Sequence, residues 1–253
     1  MFTPAEIREK ISAAGESKTK LSIRNMIILG IFAGMFIAFA AVASTFSNVY
    51  VNKLAGACVF PGGLAMVVVA GSELFTGNSL IIVSVLEKRS TMAGMLKNWL
   101  FVYLGNLIGS LIIVLLTVYG GVFQNQDVAA ALVAAATGKV QLTFVQAMFK
   151  GILCNLLVCI AVWMSFGAKT VVCKVAGVFF PIMMFIVSGY EHSVANMYYL
   201  PAGLLAAAKY GIEAPISVGN IILSNLLPVT IGNVIGGALM VGFGYFLVYG
   251  KRD

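Results

Sequence analysis

Two short polar patterns interrupt long apolar stretches of this chain. They occupy residues 71–78, with the sequence GSELFTGN, and residues 189–196, with the sequence GYEHSVAN. Their Gly, Glu and Asn recur at a constant offset of 118 positions, from Gly71 to Gly189. Acidic groups and irregular backbone are tolerated at membrane depth only where they are buried in protein or line a cavity. Paired interruptions of this kind in the two halves of a membrane chain predict a transport site.

The residues that differ between the two patterns carry the candidate chemistry. Thr76 offers a hydroxyl beside backbone N–H groups that a broken helix leaves free, and half-helix ends add positive partial charge that favours anions. His192 is the only histidine of the chain, and it could donate a hydrogen bond to an anion or share a proton with it. The alternative is that His192 is a core group whose hydrogen bonds the protein itself satisfies.

The two acidic residues, Glu73 and Glu191, are better interpreted as structural groups. A carboxylate beside a broken helix can accept hydrogen bonds from freed N–H groups and hold the loop rigid. The amides Asn78 and Asn196 belong to the same two loops. Direct contact between a carboxylate and a permeating anion would be repulsive, so we expect these four residues to build the loops.

The elements that must position these groups are membrane helices. The chain has 253 residues, of which 60% are hydrophobic and only 10% are charged, whereas soluble domains carry about 25% charged residues. Crossing the hydrocarbon takes about 20 apolar residues. Six stretches meet this requirement, at about 26–49, 55–86, 98–120, 141–166, 175–208 and 221–249. The second and fifth are the longest, and they contain the two polar patterns.

The third and sixth spans are also related to each other. Asn98 and residues 104–109 (LGNLIG) recur as Asn225 and residues 231–236 (IGNVIG), at an offset of 127. We therefore predict an all-α membrane protein whose six transmembrane helices form two inverted three-helix repeats, at about 25–120 and 140–250 of a single domain, 1–253. Asn106 and Asn233 need partners in hydrocarbon, and each could tie down a broken helix or face the pore.

Positive charge predicts the orientation. With the N-terminus inside, the outer segments would hold Lys53, Lys139 and Lys209. The cytoplasmic segments would hold the larger set: Arg8, Lys10, Lys18, Lys20, Arg24, Lys88, Arg89, Lys97, Lys169, Lys174, Lys251 and Arg252. Both ends are therefore expected in the cytoplasm. Residues 1–24 are expected to form a cytoplasmic amphipathic segment that begins with a capping box of Thr3 and Glu6, the alternative being a frayed tail.

The chain resembles the formate/nitrite transporter family over essentially its whole length. The resemblance is carried by residues 70–78 (AGSELFTGN), 151–155 (GILCN), 188–197 (SGYEHSVANM) and 225–233 (NLLPVTIGN). It implies an aquaporin-like protomer with broken second and fifth helices, assembled as a homopentamer in the lipid bilayer, with one pore per protomer. It implies neither a cofactor nor a metal, and no nucleic-acid partner.

The resemblance also implies roles for individual residues. The pore centre would be Thr76, His192 and Asn233. Apolar constrictions would be formed by Phe60, Leu64, Phe75, Val158 and Phe185. Anion attraction or gating would involve Lys18, Lys139, Lys150 and Asn155. Glu73, Asn78, Glu191, Asn196 and Asn106 would build the loops.

The substrate class that follows is a small monovalent anion. Within the family the chain is most similar to the bacterial hydrosulfide channel branch, and Lys150 and Tyr190 resemble nitrite rather than formate members. Hydrosulfide is therefore the expected anion, in a bacterial inner membrane, with nitrite and formate channels or proton-coupled transport as alternatives. Lys150 could equally reach to the outer interface as a snorkelling side chain. A neutral-solute channel and an intramembrane enzyme are the rival classes, and the paired Asn-Pro-Ala boxes of the former are absent.

Overall fold

The computed structural model describes residues 1–250, which are all-helical and contain no strand. Lys251 and Arg252 of the orientation prediction lie outside the described residues. Five helices are long and apolar enough to cross a membrane by length and composition: Ile23–Tyr50, Lys53–Ala70, Met92–Tyr119, Phe144–Gly167 and Val218–Tyr249. Two shorter apolar helices, Gly77–Leu86 and Val171–Val187, complete the second span and begin the fifth. The predicted all-α architecture is confirmed.

The helices follow one another in the predicted order. The first half contains α2 (Ile23–Tyr50), α3 (Lys53–Val59), α4 (Pro61–Ala70), α5 (Ile81–Leu86) and α6 (Met92–Tyr119). The second half contains α8 (Phe144–Gly167), α9 (Val171–Val187), α10 (Ser193–Tyr210) and α11 (Val218–Tyr249). Two helices precede these halves, α1 (Pro4–Thr19) and α7 (Gln126–Val140). The sequence reasoning did not predict α7.

The second and fifth spans are broken where the two polar patterns lie. Helix α4 ends at Gly71, which has a φ of 77°, and Gly189 follows α9 with a φ of 68°. Only glycine adopts this left-handed conformation without strain, so each glycine ends a helix and turns the chain back into the protein. The predicted helix breaks are therefore confirmed in both halves.

Unbroken helices pack closely around the two broken ones. A Cβ atom at Gly109 would overlap the carbonyl oxygen of Ile31, and one at Gly236 would overlap that of Ile152. The backbones of α2 and α6, and likewise those of α8 and α11, therefore lie in direct contact, as small residues permit in membrane helices. These two rigid pairs hold the broken spans between them.

Helix α1 is a formed helix that docks against the bundle. Its predicted capping box is confirmed, because the Glu6 N–H donates to Thr3 Oγ1 (3.3 Å) and the Thr3 N–H donates to Glu6 Oε2 (2.7 Å). Ile7 and Ile11 are buried against α5, and buried Arg8 forms an ion pair with Glu87. The helix thereby covers one end of the first broken span.

Candidate functional site

The first loop is fixed by its own carboxylate. Lys18 Nζ donates to Glu73 Oε1 at 2.6 Å, and Asn78 Nδ2 donates to Glu73 Oε2 at 2.7 Å. Asn78 Nδ2 also reaches Asn98 Oδ1 (2.8 Å), and Asn98 Nδ2 donates to the Lys18 carbonyl (3.2 Å). Glu73 is 4% exposed, so a charge that would be costly alone is compensated on both oxygens.

The second loop repeats this arrangement residue by residue. Lys139 Nζ donates to Glu191 Oε1 at 3.0 Å, and Asn196 Nδ2 donates to Glu191 Oε2 at 2.7 Å. Asn196 Nδ2 also reaches Asn225 Oδ1 (2.7 Å), and Asn225 Nδ2 donates to the Lys139 carbonyl (3.0 Å). Each half therefore has a clamp of one lysine, one glutamate and two asparagines.

Asn106 and Asn233 pin the two loops from the neighbouring helices. Asn106 Nδ2 donates to the carbonyls of Gly30 (2.8 Å) and Glu73 (2.9 Å), and its Oδ1 accepts from the Phe75 N–H (2.9 Å). Asn233 makes the equivalent bonds, to the carbonyls of Gly151 and Glu191 and from the N–H of Ser193. Each amide therefore bonds the loop of the broken helix in its own half, and a pore-facing role of Asn233 stays a prediction.

The two loops bring Thr76 and His192 together in the interior. Thr76 Oγ1 lies 2.8 Å from His192 Nε2, and the two residues are 0% and 3% exposed. His192 is also the N-cap of α10, where its Nδ1 accepts from the Ala195 N–H at 3.0 Å. Since that nitrogen is occupied as an acceptor, the hydrogen-bond network assigns the proton of the neutral ring to Nε2. The Nε2–H group then donates to Thr76 Oγ1, which leaves the Thr76 hydroxyl hydrogen free for another acceptor.

Apolar side chains enclose this pair. The rings of Phe60 and Phe185 meet edge to face at 5.7 Å, and Phe185 stacks on His192 at 5.9 Å. Phe75, beside Thr76, packs edge to face on Tyr103 at 4.9 Å. The five predicted constriction residues, Phe60, Leu64, Phe75, Val158 and Phe185, are all buried, with at most 5% of any of them exposed.

A cavity of about 210 Å³ lies between α1 and the first loop. Its polar lining includes Lys18, Ser72, Glu73 and Lys174, and Leu64 belongs to its apolar lining. The basic residues Lys18 and Lys174 and the predicted constriction residue Leu64 therefore line the same cavity. Lys139, at the opposite end of the bundle, lies with its ammonium 5.5 Å from the centre of the Tyr199 ring.

The two remaining predicted residues lie on α8. Asn155 is fully buried, and its Nδ2 lies within 3.2 Å of the Thr76 carbonyl. Lys150 is half-buried in the first turns of the helix, and its carbonyl accepts from the Glu191 N–H at 3.3 Å. Asn155 thus reaches the loops with its side chain, whereas Lys150 holds the second loop through its backbone.

Sequence reasoning missed how far the internal symmetry extends. Lys18 and Lys139 are 121 positions apart, as are Gly30 and Gly151, so α1 and α7 are equivalent helices that each supply the lysine of one clamp. The common offset was the signal that could have revealed this. The roles of Asn98 and Asn225 in the clamps were also missed, although their recurrence was visible.

Comparison with known proteins agrees with this architecture. The formate/nitrite transporter family profile matches residues 5–247. The formate channel FocA of Escherichia coli strain K12 is 38% identical over 100% of this chain and 96% of its own length. The formate channel BtFdhC of Bacillus thuringiensis is 35% identical over 98% of this chain and 96% of its own length.

Solved structures show the same fold. A pentameric formate channel with formate bound has a TM-score of 0.80 and 34% identity, covering 90% of this chain and 98% of that one. An ion channel of the same family has a TM-score of 0.83 and 28% identity, covering 96% and 98%. The predicted fold, six spans in two inverted halves with broken second and fifth helices, is confirmed.

Proposed function

This chain belongs to the formate/nitrite transporter family, and we propose that it conducts small monovalent anions through the site between its two broken helices. Its relatives are channels and transporters, so it is not an intramembrane enzyme. The observation that carries the proposal is the buried Thr76–His192 pair, enclosed by aromatic rings and flanked by a lysine clamp at each end.

The lysines act at the two mouths. Lys18 and Lys139 each donate one hydrogen bond to a glutamate, and an ammonium group has three N–H donors. The other two are available to an arriving anion, while the glutamate keeps the lysine in place. The chain's net charge of +7 adds a general attraction for anions, weakened by salt.

The aromatic and aliphatic side chains of the constrictions select anions by their cost of dehydration. A bare charge that passes between Phe60 and Phe185 loses water without gaining polar partners, and this penalty is greatest for divalent ions. A weak acid can lower the penalty by crossing the apolar segment in its neutral form. Hydrosulfide, nitrite and formate are all conjugate bases of such acids.

At the centre, hydrogen-bond donors replace the lost water. His192 Nε2–H donates to Thr76 Oγ1, so the Thr76 hydroxyl can donate to the anion. The chain of two hydrogen bonds strengthens this donor, because each bond polarises the next. We propose that any proton shared with the anion passes through the Thr76 hydroxyl, since His192 Nδ1 is held by Ala195.

Hydrosulfide is the anion that we place first. The order rests on the resemblance to the hydrosulfide branch, and Lys150 and Tyr190, which resemble nitrite rather than formate members, count against formate as the first anion. Formate is the second candidate, and the names of the relatives favour it. We further propose a homopentamer, as in the related pentameric formate channel, in a bacterial inner membrane with both termini cytoplasmic.

The decisive experiment compares fluxes of hydrosulfide, nitrite and formate in the same proteoliposomes across pH. We expect all three to cross faster than in empty vesicles, hydrosulfide most rapidly and sulfate not at all. Thr76→Val should lower each flux by roughly tenfold, the value of about one hydrogen bond to a charged group. The matched control is Thr45→Val, because Thr45 Oγ1 donates to the Ala41 carbonyl of its own helix and its side chain bonds Tyr199, so it takes no part in the Thr76–His192 bond and the fluxes should stay near wild type.

Two results would contradict the proposal at different levels. Formate flux far above hydrosulfide flux would reverse the substrate order and leave the channel intact. Water or glycerol flux without any anion flux would instead favour the neutral-solute class and overturn the proposed function itself.

A further inference from the structure

Asn155 is the one amide of the site that joins the loop of one half to the pinning residue of the other. Its Nδ2 lies 3.2 Å from the Thr76 carbonyl and 3.1 Å from Ser79 Oγ, both in the first half. The same nitrogen lies 2.6 Å from the carbonyl of Asn233 in the second half. The two clamps, and the bonds of Asn106 and Asn233 to the loops, each join residues of a single half, whereas Asn155 bonds residues of both halves.

The first half has no contact equivalent to the one that Asn155 makes from the second half. The offset of 121 that relates Gly30 to Gly151 places Gly34 where Asn155 stands. A Cβ at Gly34 would overlap the carbonyl oxygen of Asn106, so this position in the first half is filled by backbone. In the second half the same position carries a side chain that reaches into the centre.

The sixth span makes room for that side chain. A Cβ at Gly237 would overlap Asn155 Nδ2 and would lie 2.7 Å from Ser79 Cβ, so only glycine leaves space for the amide. The Asn233 carbonyl accepts from Asn155, and π-helical geometry begins two residues later, over Ile235–Phe243. Insertion of a side chain into the helical hydrogen-bond ladder is a known cause of such local change. Its equivalent, α6, faces Gly34 and is α-helical throughout.

We propose that Asn155 is a positioning residue that fixes the Thr76 backbone so that the Thr76 hydroxyl meets His192 Nε2. The Thr76 carbonyl also accepts from the Ser79 backbone N–H of its own loop (3.3 Å) and lies 3.4 Å from Cys159 Sγ, a weak donor. The amide of Asn155 is therefore the strong donor that this carbonyl receives from the second half. Asn155 acts through Thr76 and need not touch the permeating anion. The proposal deepens the proposed function and rests on it for the flux measurement alone.

The chain offers a direct readout, because it contains a single histidine. Protein labelled with ¹⁵N-histidine gives one pair of imidazole ¹⁵N resonances, from Nδ1 and Nε2 of His192, in magic-angle-spinning NMR of proteoliposomes. The Nε2 resonance reports the bond to Thr76. The variants to compare are Asn155→Leu, which keeps the volume and removes the donors, Thr76→Val and the double variant. Ser79→Ala is the matched control, since it removes the third partner of Asn155 and leaves the Thr76 and Asn233 contacts.

We expect Asn155→Leu to move the Nε2 resonance towards that of Thr76→Val, and Ser79→Ala to leave it unchanged. The flux should fall roughly tenfold in Asn155→Leu, and the double variant should be no slower than Thr76→Val, because residues acting as one unit are not additive. A wild-type resonance in Asn155→Leu, or additive losses of flux, would overturn the proposal.

If Asn155→Leu does not fold, Asn155→Gly, which has the residue found at the equivalent Gly34, replaces it under the same criteria. Failure of the wild type to conduct anions would count against the proposed function, and the NMR comparison would still decide the role of Asn155.

Discussion

At the scale of single residues, the buried carboxylates are kept apart from the proposed pore centre. Glu73 and Glu191 are each bound by a lysine and an asparagine, whereas Thr76 and His192 place a neutral hydroxyl and an imidazole at the proposed pore centre. Neutral donors can replace water around an anion without binding it so tightly that it stays. The buried charges are thereby confined to holding the loops.

Removing one carboxylate charge tests this division. Glu191→Gln leaves Lys139 without its counter-ion and sets an amide NH₂ against one of the two donors, Lys139 or Asn196, so we expect a loss of about 3 kcal/mol and a lower melting temperature in detergent. The double variant Glu191→Gln with Lys139→Met should recover part of this loss, because neither charge is then left alone. A melting temperature unchanged in Glu191→Gln would show that the clamp does not stabilise the fold.

Shortening one aromatic ring tests the constriction. Phe60→Ala removes the edge-to-face contact with Phe185 and opens the narrow segment beside His192. We expect the ratio of acetate to formate flux to rise in proteoliposomes, since the larger anion gains most from the space. Phe32→Ala is the control, because Phe32 is 45% exposed on α2 and should leave the ratio unchanged. An equal ratio in Phe60→Ala and wild type would exclude this ring from selection.

At the scale of elements, α1 and α7 are equivalent helices that have the same role in the two halves but are held by different contacts. Each supplies a lysine to the clamp of its half. Helix α1 is held in addition by ion pairs of Arg89 with Glu9 and Glu16, and its capping box depends on Glu6. Helix α7 is capped by the amide of Asn125, which does not titrate.

Acid should therefore loosen α1 selectively. The backbone N–H of Thr3 lowers the pKa of Glu6, and the hydrogen bond from Lys20 lowers the pKa of Glu16. Because these pKa values are depressed in the folded protein, their stabilisation is present above the ordinary glutamate pKa of about 4.3 and is lost as the pH falls below it. Hydrogen exchange, corrected for intrinsic rates, should accelerate in residues 4–19 at low pH and stay constant in residues 126–140. Equal acceleration in both helices would contradict this.

At the scale of the whole molecule, two halves of opposite direction meet along one buried centre. Many large apolar side chains remain on the outside of the protomer, among them Leu116 and Leu223, which are 63% and 64% exposed. Lipid and neighbouring protomers are the surroundings that such a surface fits. The pentameric relative makes a ring of five the expected arrangement.

Native mass spectrometry in detergent tests the assembly. We expect the dominant species to have the mass of five chains of 26.8 kDa, and it should persist after Thr76→Val, which lies at the protomer centre. Monomers or dimers as the dominant species over a range of mild detergents would contradict the homopentamer.

The helix breaks could be predicted because their causes are local. A glycine close to a glutamate and an asparagine inside an apolar span favours a break, and both breaks lie where Gly71 and Gly189 indicated. Helix α7 was missed because only stretches long enough to cross a membrane were sought, although its alanine-rich sequence favours a helix.

The partners in the site could not be predicted because they depend on tertiary distance. Nothing local assigns Lys18 to Glu73, 55 residues away, or joins Thr76 to His192 across the two halves. The two π-helical segments of α11, Ile221–Leu226 and Ile235–Phe243, are harder still, since no local sequence signal marks them and the second begins beside a contact from Asn155 on another helix. The family resemblance predicted separate roles for these residues and did not predict which of them bond to one another.

The duplicated clamp has a consequence for the direction of flow. In the proposed pathway, an anion that arrives from either compartment first meets a lysine bonded to a glutamate that also accepts from an asparagine, at 2.6 and 2.7 Å in the first half and at 3.0 and 2.7 Å in the second. The two mouths thus have similar local chemistry, and neither is built as a one-way entrance. Rectification then has no source in the clamps, and import or export becomes a matter of the concentration and proton gradients that the cell maintains.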